Sequence, residues 1–227
     1  MLTQLVSQDI VKALFSDATF NSQHHLGAIN SINWARILAQ TVYYFLAYFS
    51  LLRATSSTLQ LVQFVVPTGN FGDVLAGYYA KRMGLPIQRL VIATNENDIL
   101  ARFWQSGRYE KATVDSSGSG EAAPVNSASD GKHGDHVKTT LSPAMDILVS
   151  SNFERLLWYL AFEEVRGDRR KACEILAGWM GRVKDDGRVE VSAKVLEAAR
   201  MDFFAERISD EEVRDLMPEE IRAILTF

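Results

Sequence analysis

An α/β domain built on a parallel sheet, continued by a mostly helical C-terminal part, is the fold class this sequence predicts. Three observations predict it. Residues 61–67 form a short Val-rich apolar run that passes through Gly69 and Gly72 into a helical pattern, residues 89–94 form a second such run, and helical periodicity dominates after residue 138. Short, largely apolar runs without alternation suit strands covered on both faces. Strand, helix, strand in succession implies a right-handed parallel unit. With 227 residues, 47% of them hydrophobic, the chain can bury a core for one large domain or a domain plus an appendage.

The elements follow in order. A helix is expected over residues 31–53, capped by Asn30 or Ser31. Within it, residues 37–52 run uncharged between Arg36 and Arg53 and include Tyr43, Tyr44, Phe45, Tyr48 and Phe49. That run is shorter than the about 20 apolar residues a bilayer needs and carries Gln40, Thr41 and Ser50, so a helix buried in the domain is expected. A second helix over residues 73–83 is stopped by Gly84, with Pro86 just beyond. Residues 115–135 contain five serines, four glycines and Pro124, the composition of a flexible insertion. The expected organisation is therefore an α/β part over 1–110, an insertion over 111–138 and a mostly helical part over 139–227 packing on the same domain. In that last part Phe153, Leu156, Leu157, Leu160 and Ala161 share one helical face, led by Ser151 and Glu154 in capping-box spacing. Ala172, Ile175, Leu176, Trp179, Met180 and Val183 form another stripe, and Ser209 with Glu212 repeats the capping box before an interruption at Pro218.

A formal net charge of -4 without a basic stripe argues against nucleic acid as a partner. A single cysteine, Cys173, excludes an internal disulfide framework; beside an apolar stripe it reads as a packed core thiol. No secretory leader opens the sequence, so the cytoplasm is the expected compartment. The histidines fall in two pairs, His24 with His25 and His133 with His136. The second pair flanks Asp135 inside the insertion, where ordering ligands costs entropy, and no metal is expected.

The strongest local chemistry lies in Gly69-Asn70-Phe71-Gly72-Asp73. Glycines let the backbone approach an anion, and the free amides of the following helix point at it. A phosphate monoester would fit; a tight turn without ligand is the competing reading, because Gly-x-x-Gly alone is common. Asn30, Ser31, Asn33 and Arg36 cluster ahead of the aromatic helix, where Arg36 would hold an anionic substrate bidentately, or where all four serve capping and surface. Thr94, Asn95, Glu96, Asn97 and Asp98 follow the second strand at the end where open α/β sheets bind ligands, or form a polar loop into the next helix.

Five ordered blocks carry a resemblance. They are Asn30 to Gln40 (Asn-Ser-Ile-Asn-Trp-Ala-Arg-Ile-Leu-Ala-Gln), Gly69 to Asp73, Ala93 to Leu100 (Ala-Thr-Asn-Glu-Asn-Asp-Ile-Leu), Leu141 to Ile147 (Leu-Ser-Pro-Ala-Met-Asp-Ile), and Ser151 to Tyr159 (Ser-Asn-Phe-Glu-Arg-Leu-Leu-Trp-Tyr). Together they resemble the middle of a threonine synthase, closest to the fungal type, over nearly all of this chain but about half of such an enzyme. The resemblance implies the three-layer parallel-sheet fold of the pyridoxal-phosphate enzymes of tryptophan-synthase-β-like type, here incomplete. It implies conversion of O-phosphohomoserine, a phosphorylated amino acid, and water to threonine and phosphate. Gly69, Asn70, Phe71, Gly72 and Asp73 would hold the pyridoxal phosphate. Asn30, Ser31, Asn33 and Arg36, with the segment from Ser142 to Asp146, would lie on the substrate side.

Two family segments find no counterpart. None of Lys12, Lys81 or Lys138 stands in the Ser-Phe-Lys-type segment of the Schiff-base lysine, and the Asp-Pro-His-Thr segment is absent. No catalytic residue is therefore assigned, and the chain alone is not expected to turn over substrate. The competing readings are a non-catalytic paralogue that binds a phosphate ligand and a plain interaction domain. An incomplete sheet also predicts self-association through uncovered apolar surface.

Overall fold

The computed structural model describes residues 10, 13–27, 30–56, 60–110 and 137–216. Residues 111–136 of the insertion, with His133, Asp135 and His136, and the interruption at Pro218 lie outside these residues. In chain order the elements are α1 (Ala18–His24), α2 (Trp34–Thr55), β1 (Val62–Pro67), α3 (Gly72–Arg82), β2 (Ile87–Thr94), α4 (Ile99–Ser106), β3 (Arg108–Glu110), a 3-10 turn (Pro143–Met145), α5 (Phe153–Glu164), α6 (Arg169–Asp186), β4 (Arg188–Glu190), α7 (Ala193–Asp202), β5 (Phe203–Arg207) and α8 (Asp210–Leu216).

β1 and β2 pair in parallel through the α3 crossover, with Phe64 opposite Leu90 and Val66 opposite Ile92. β5 pairs in parallel on the other side of β2, giving the strand order β1-β2-β5. This is the α/β, parallel-sheet class expected. α3 ends in a Schellman-type closure, in which the Leu85 amide donates to the Ala80 carbonyl at 3.0 Å and Gly84 takes a φ of 101°. The α5 face foreseen from periodicity is buried in full: Phe153, Leu156, Leu157, Leu160 and Ala161. Phe71, Phe103, Trp104, Phe153 and Phe203 meet beneath the sheet as a cluster of rings, with Phe71 edge-on to Phe153 at 5.3 Å.

Several expectations are corrected. Asn33, not Asn30 or Ser31, caps the aromatic helix, its side chain accepting from the Ala35 amide at 2.9 Å. Asn30 instead closes a tighter turn by accepting from the Ile32 amide. That helix is buried on one face only, through Ile37, Thr41, Tyr44 and Tyr48. β1 is not covered on both faces, since Val65 is 67% exposed. Ser151 does not cap α5; the cap position is Asn152, and the Ser151 hydroxyl turns to Asn70 Oδ1 at 3.1 Å. The second capping box does form: the Glu212 amide donates to Ser209 Oγ and the Ser209 amide to Glu212 Oε2. Cys173 is exposed rather than packed, because the buried positions of α6 are Ala172 and Trp179 and Cys173 lies about 100° round the helix from the former. The C-terminal part also supplies strands β4 and β5, which the helical reading missed.

Candidate functional site

β1 ends at Pro67, and the chain turns through residues 68–71 into α3. Phe71 stands at the turn's pivot with a φ of 62°, unusual for a bulky residue. The cost is met by burial: its ring is 1% exposed and stacks on Trp104. The side chain of Phe71 therefore belongs to the core, and only its backbone faces the turn's concave side.

Phe71 also makes the start of α3 unusual. It is the residue before the first helical one, and no side chain caps the helix. The Leu75 amide is the first to reach back, to the Phe71 carbonyl at 3.0 Å. Gly72, Asp73 and Val74 are thus the first-turn amides that a helix cannot satisfy from within, at the positive end of its dipole.

These amides border a cavity of about 190 Å³ lined by all five residues of the glycine turn, and by Thr68, Ser31, Arg36, Gln40 and Ala144. Of the four residues expected on the substrate side, Ser31 and Arg36 line it; Asn30 and Asn33 do not, being used in the turn and cap described above. No lysine lines it among the described residues. Lys81 is drawn away by Asp202 at 2.6 Å and Lys138 by Glu96 at 3.2 Å.

A phosphate group is the natural test of such a hollow. Gly69 passes so close to the 3-10 turn that a Cβ on it would stand 3.0 Å from Met145 Cα and 3.1 Å from the Ala144 carbonyl oxygen. The one carboxyl on the wall, Asp73, keeps Oδ1 buried without a partner, and burial holds it above the usual carboxylate range against the opposing effect of Tyr44. Its charge is the one that this environment disfavours. Free amides, a cation in Arg36 and a suppressed acid together fit an anion, while the close approach at Gly69 seats the 3-10 turn.

Two supports shape the hollow from behind. Asn152 is fully buried. Its Nδ2 donates to the Ser31 carbonyl at 2.8 Å and to the Asn70 carbonyl at 2.9 Å, while Oδ1 accepts from Arg155 at 2.6 Å. One amide thereby staples the glycine turn to the Ser31 loop that leads into α2, the helix that carries Arg36. Beside it the Ser150 hydroxyl donates to the Gly69 carbonyl at 2.9 Å. Neither Ser150 nor Asn152 was singled out for this role from the sequence; no local pattern reports contacts across about 80 residues.

The second support holds the 3-10 turn over Gly69. Asp146 accepts from Asn95 Nδ2 at 2.7 Å, Thr140 Oγ1 at 2.7 Å, the Thr140 amide at 3.1 Å and Asn97 Nδ2 at 3.2 Å. The polar residues after β2 are therefore a clamp on the segment after the insertion, with Thr94 buried beneath them. Asp146→Ala strands these donors, and we expect a loss of about 2–3 kcal/mol in stability. A urea titration checks it; an unchanged midpoint would show that the clamp carries no energy.

A parallel sheet with an uncapped helix start behind a glycine turn defines a class: α/β proteins whose geometry suits an anion at the carboxyl end of a strand. Comparison narrows it. The chain is 55% identical over 210 residues to threonine synthase from Schizosaccharomyces pombe, which covers 92% of this chain and 38% of that protein. The solved yeast threonine synthase superposes with a TM-score of 0.76 at 52% identity, over 92% of this chain and 36% of that one. A pyridoxal-phosphate-bound threonine synthase from Brucella melitensis follows at 0.71 and 42% identity, over 91% of this chain and 37% of that one. No protein-family profile matches the chain. The chain belongs to the threonine synthase family, and it spans a little over a third of its relatives' length rather than the half expected.

Proposed function

We propose that this chain is the part of a threonine synthase that grips the phosphate of pyridoxal phosphate, in an enzyme that converts O-phosphohomoserine and water to threonine and phosphate. The observation that carries the reading is the uncapped start of α3, whose first-turn amides open into the cavity. When bound, pyridoxal phosphate supplies an electron sink for charge that develops on the substrate. The residues of this chain would act around it. The amides of Gly72, Asp73 and Val74 would hold the cofactor phosphate, and Gly69 would let the 3-10 turn pack close beside it. Arg36, on the facing wall, would pair with the substrate's own phosphate or carboxylate. Ser31, which shares a hydrogen bond of 3.2 Å with Ser151, would orient beside it. With no lysine on the wall among the described residues, the reading assigns this chain a grip on the cofactor and not turnover by itself.

Titration calorimetry tests it. Pyridoxal phosphate is expected to bind saturably to the purified chain, with pyridoxal binding at least about tenfold more weakly, a difference of about 1.4 kcal/mol. Gly72→Asp is expected to abolish binding by placing a carboxylate among the amides. A Cβ at Gly72 meets Gln40 Oε1 and Asn152 Nδ2 at ordinary contact distances of 3.4 Å and 3.6 Å, and circular dichroism against wild type checks that the variant keeps the fold. Equal binding of pyridoxal, or an unaffected variant, would defeat the reading.

A further inference from the structure

Two apolar faces of this chain lie bare where proteins of this class bury theirs. Parallel sheets are covered on both sides. Here one side is packed, with Leu90, Ile92 and Phe203 buried. On the other, Val65, Val91 and Phe204 stand in register across β1, β2 and β5. Val65 at the edge is 67% exposed and Phe204 45%. The second face belongs to α2. A helix that is apolar all round belongs to the interior of a larger protein. Behind its buried side, Trp34, Leu38, Val42, Leu46 and Phe49 form a stripe of spacing four, four, four and three, each side chain more than half exposed. Arg36, the only charge between Trp34 and Phe49, lines the cavity instead. Five large side chains so exposed on one helix reach the upper end of the roughly 300–600 Å² patch that a typical monomer shows.

The occupant is named by length. This chain keeps the backbone of solved threonine synthases at TM-scores of 0.76 and 0.71 while covering 36% and 37% of their length. We propose that the Val65, Val91, Phe204 row and the outer stripe of α2 are docking faces for the remaining polypeptide of a threonine synthase, and are interior surfaces of the assembled enzyme. The inference rests on the family reading above but not on cofactor binding, which the calorimetry measures in the chain alone.

The test compares two contexts. Leu46→Glu and Val65→Glu are made in this chain, and in a chimaera where the chain replaces the matched residues of the Schizosaccharomyces pombe enzyme. Because both side chains are exposed here, each substitution is expected to move the melting temperature of the chain alone by less than about 1 °C, and that of the chimaera down by about 5 °C or more. Equal, small shifts in both contexts would overturn the proposal, as would a chimaera that fails to fold. Sedimentation of the chain alone adds a second arm. A dimer that both substitutions dissolve would make a second copy the occupant and overturn the proposal as well.

Discussion

Replacing Asn152 by Asp is expected to be among the most damaging isosteric changes available in this chain. The side chain is fully buried, and its amide nitrogen faces two carbonyls at 2.8 Å and 2.9 Å. A carboxylate oxygen in that place has nothing to donate and meets two negative dipoles. The Arg155 contact at 2.6 Å becomes an ion pair, but Arg155 is only half-buried and its gain is about 0–1 kcal/mol. Against this stand two lost donors and a buried charge, together about 3–5 kcal/mol. Burial and the two carbonyls raise the carboxyl's folded-state pKa above its unfolded value of about 3.9. The protonated acid can still donate one hydrogen bond. The deficit is therefore smallest below the unfolded pKa and grows as pH rises through the folded one. Urea midpoints should fall further below wild type at pH 8 than at pH 5, and pyridoxal-phosphate affinity should fall with them, since the staple sets the turn against Ser31. Asn152→Ala, which carries no charge, should show the loss without the pH dependence. A midpoint equal to wild type at pH 8 would show that the staple is dispensable.

Gly77→Val is expected to match that effect by a different route. A Cβ at Gly77 would stand 2.7 Å from two ring atoms of Tyr44 and 2.8 Å from Leu90 Cδ2, so α3 touches α2 on one side and β2 on the other. Neither neighbour has room to give: Leu90 is fully buried, and Tyr44 is buried with its hydroxyl donating to the Asp73 carbonyl at 2.8 Å. Overpacking of this kind costs about 1–3 kcal/mol or more, and valine adds two methyl groups to a position where one is already refused. Displacing Tyr44 also loosens the first turn of α3, so the cavity suffers with the core. Gly77→Ala is expected to destabilise even though alanine favours a helix over glycine by about 1 kcal/mol. Gly178 of α6 provides the opposite sign: nothing lies within 4 Å of a Cβ there, and Gly178→Ala should stabilise by up to about 1 kcal/mol. Melting curves of the three variants decide between packing and propensity at Gly77.

Much of the scaffold was legible from local chemistry. The β1, α3, β2 unit announces itself because apolar runs, a glycine turn and a Gly84 stop stand in order along the chain. The α5 stripe was legible because periodicity reports which face is apolar. β5 was not: Phe203-Phe204-Ala205-Glu206-Arg207 has no β-branched residue, and its strand state comes from pairing with β2. The cap of α2 was not, because Asn30, Ser31 and Asn33 are all competent to cap and only backbone geometry chooses Asn33.

Sequence alone determined the class of fold, the family and the glycine turn into α3, since each is written in neighbouring residues whose conformational preferences act over a few positions. Tertiary structure alone decided which side chains stand behind that turn. Asn152, Ser150 and Asp146 reach the site across the insertion, and no local preference encodes a hydrogen bond between segments that meet only when the chain is folded. It also decided which apolar faces stay open. Periodicity shows that a face is apolar, and only packing shows whether anything lies against it.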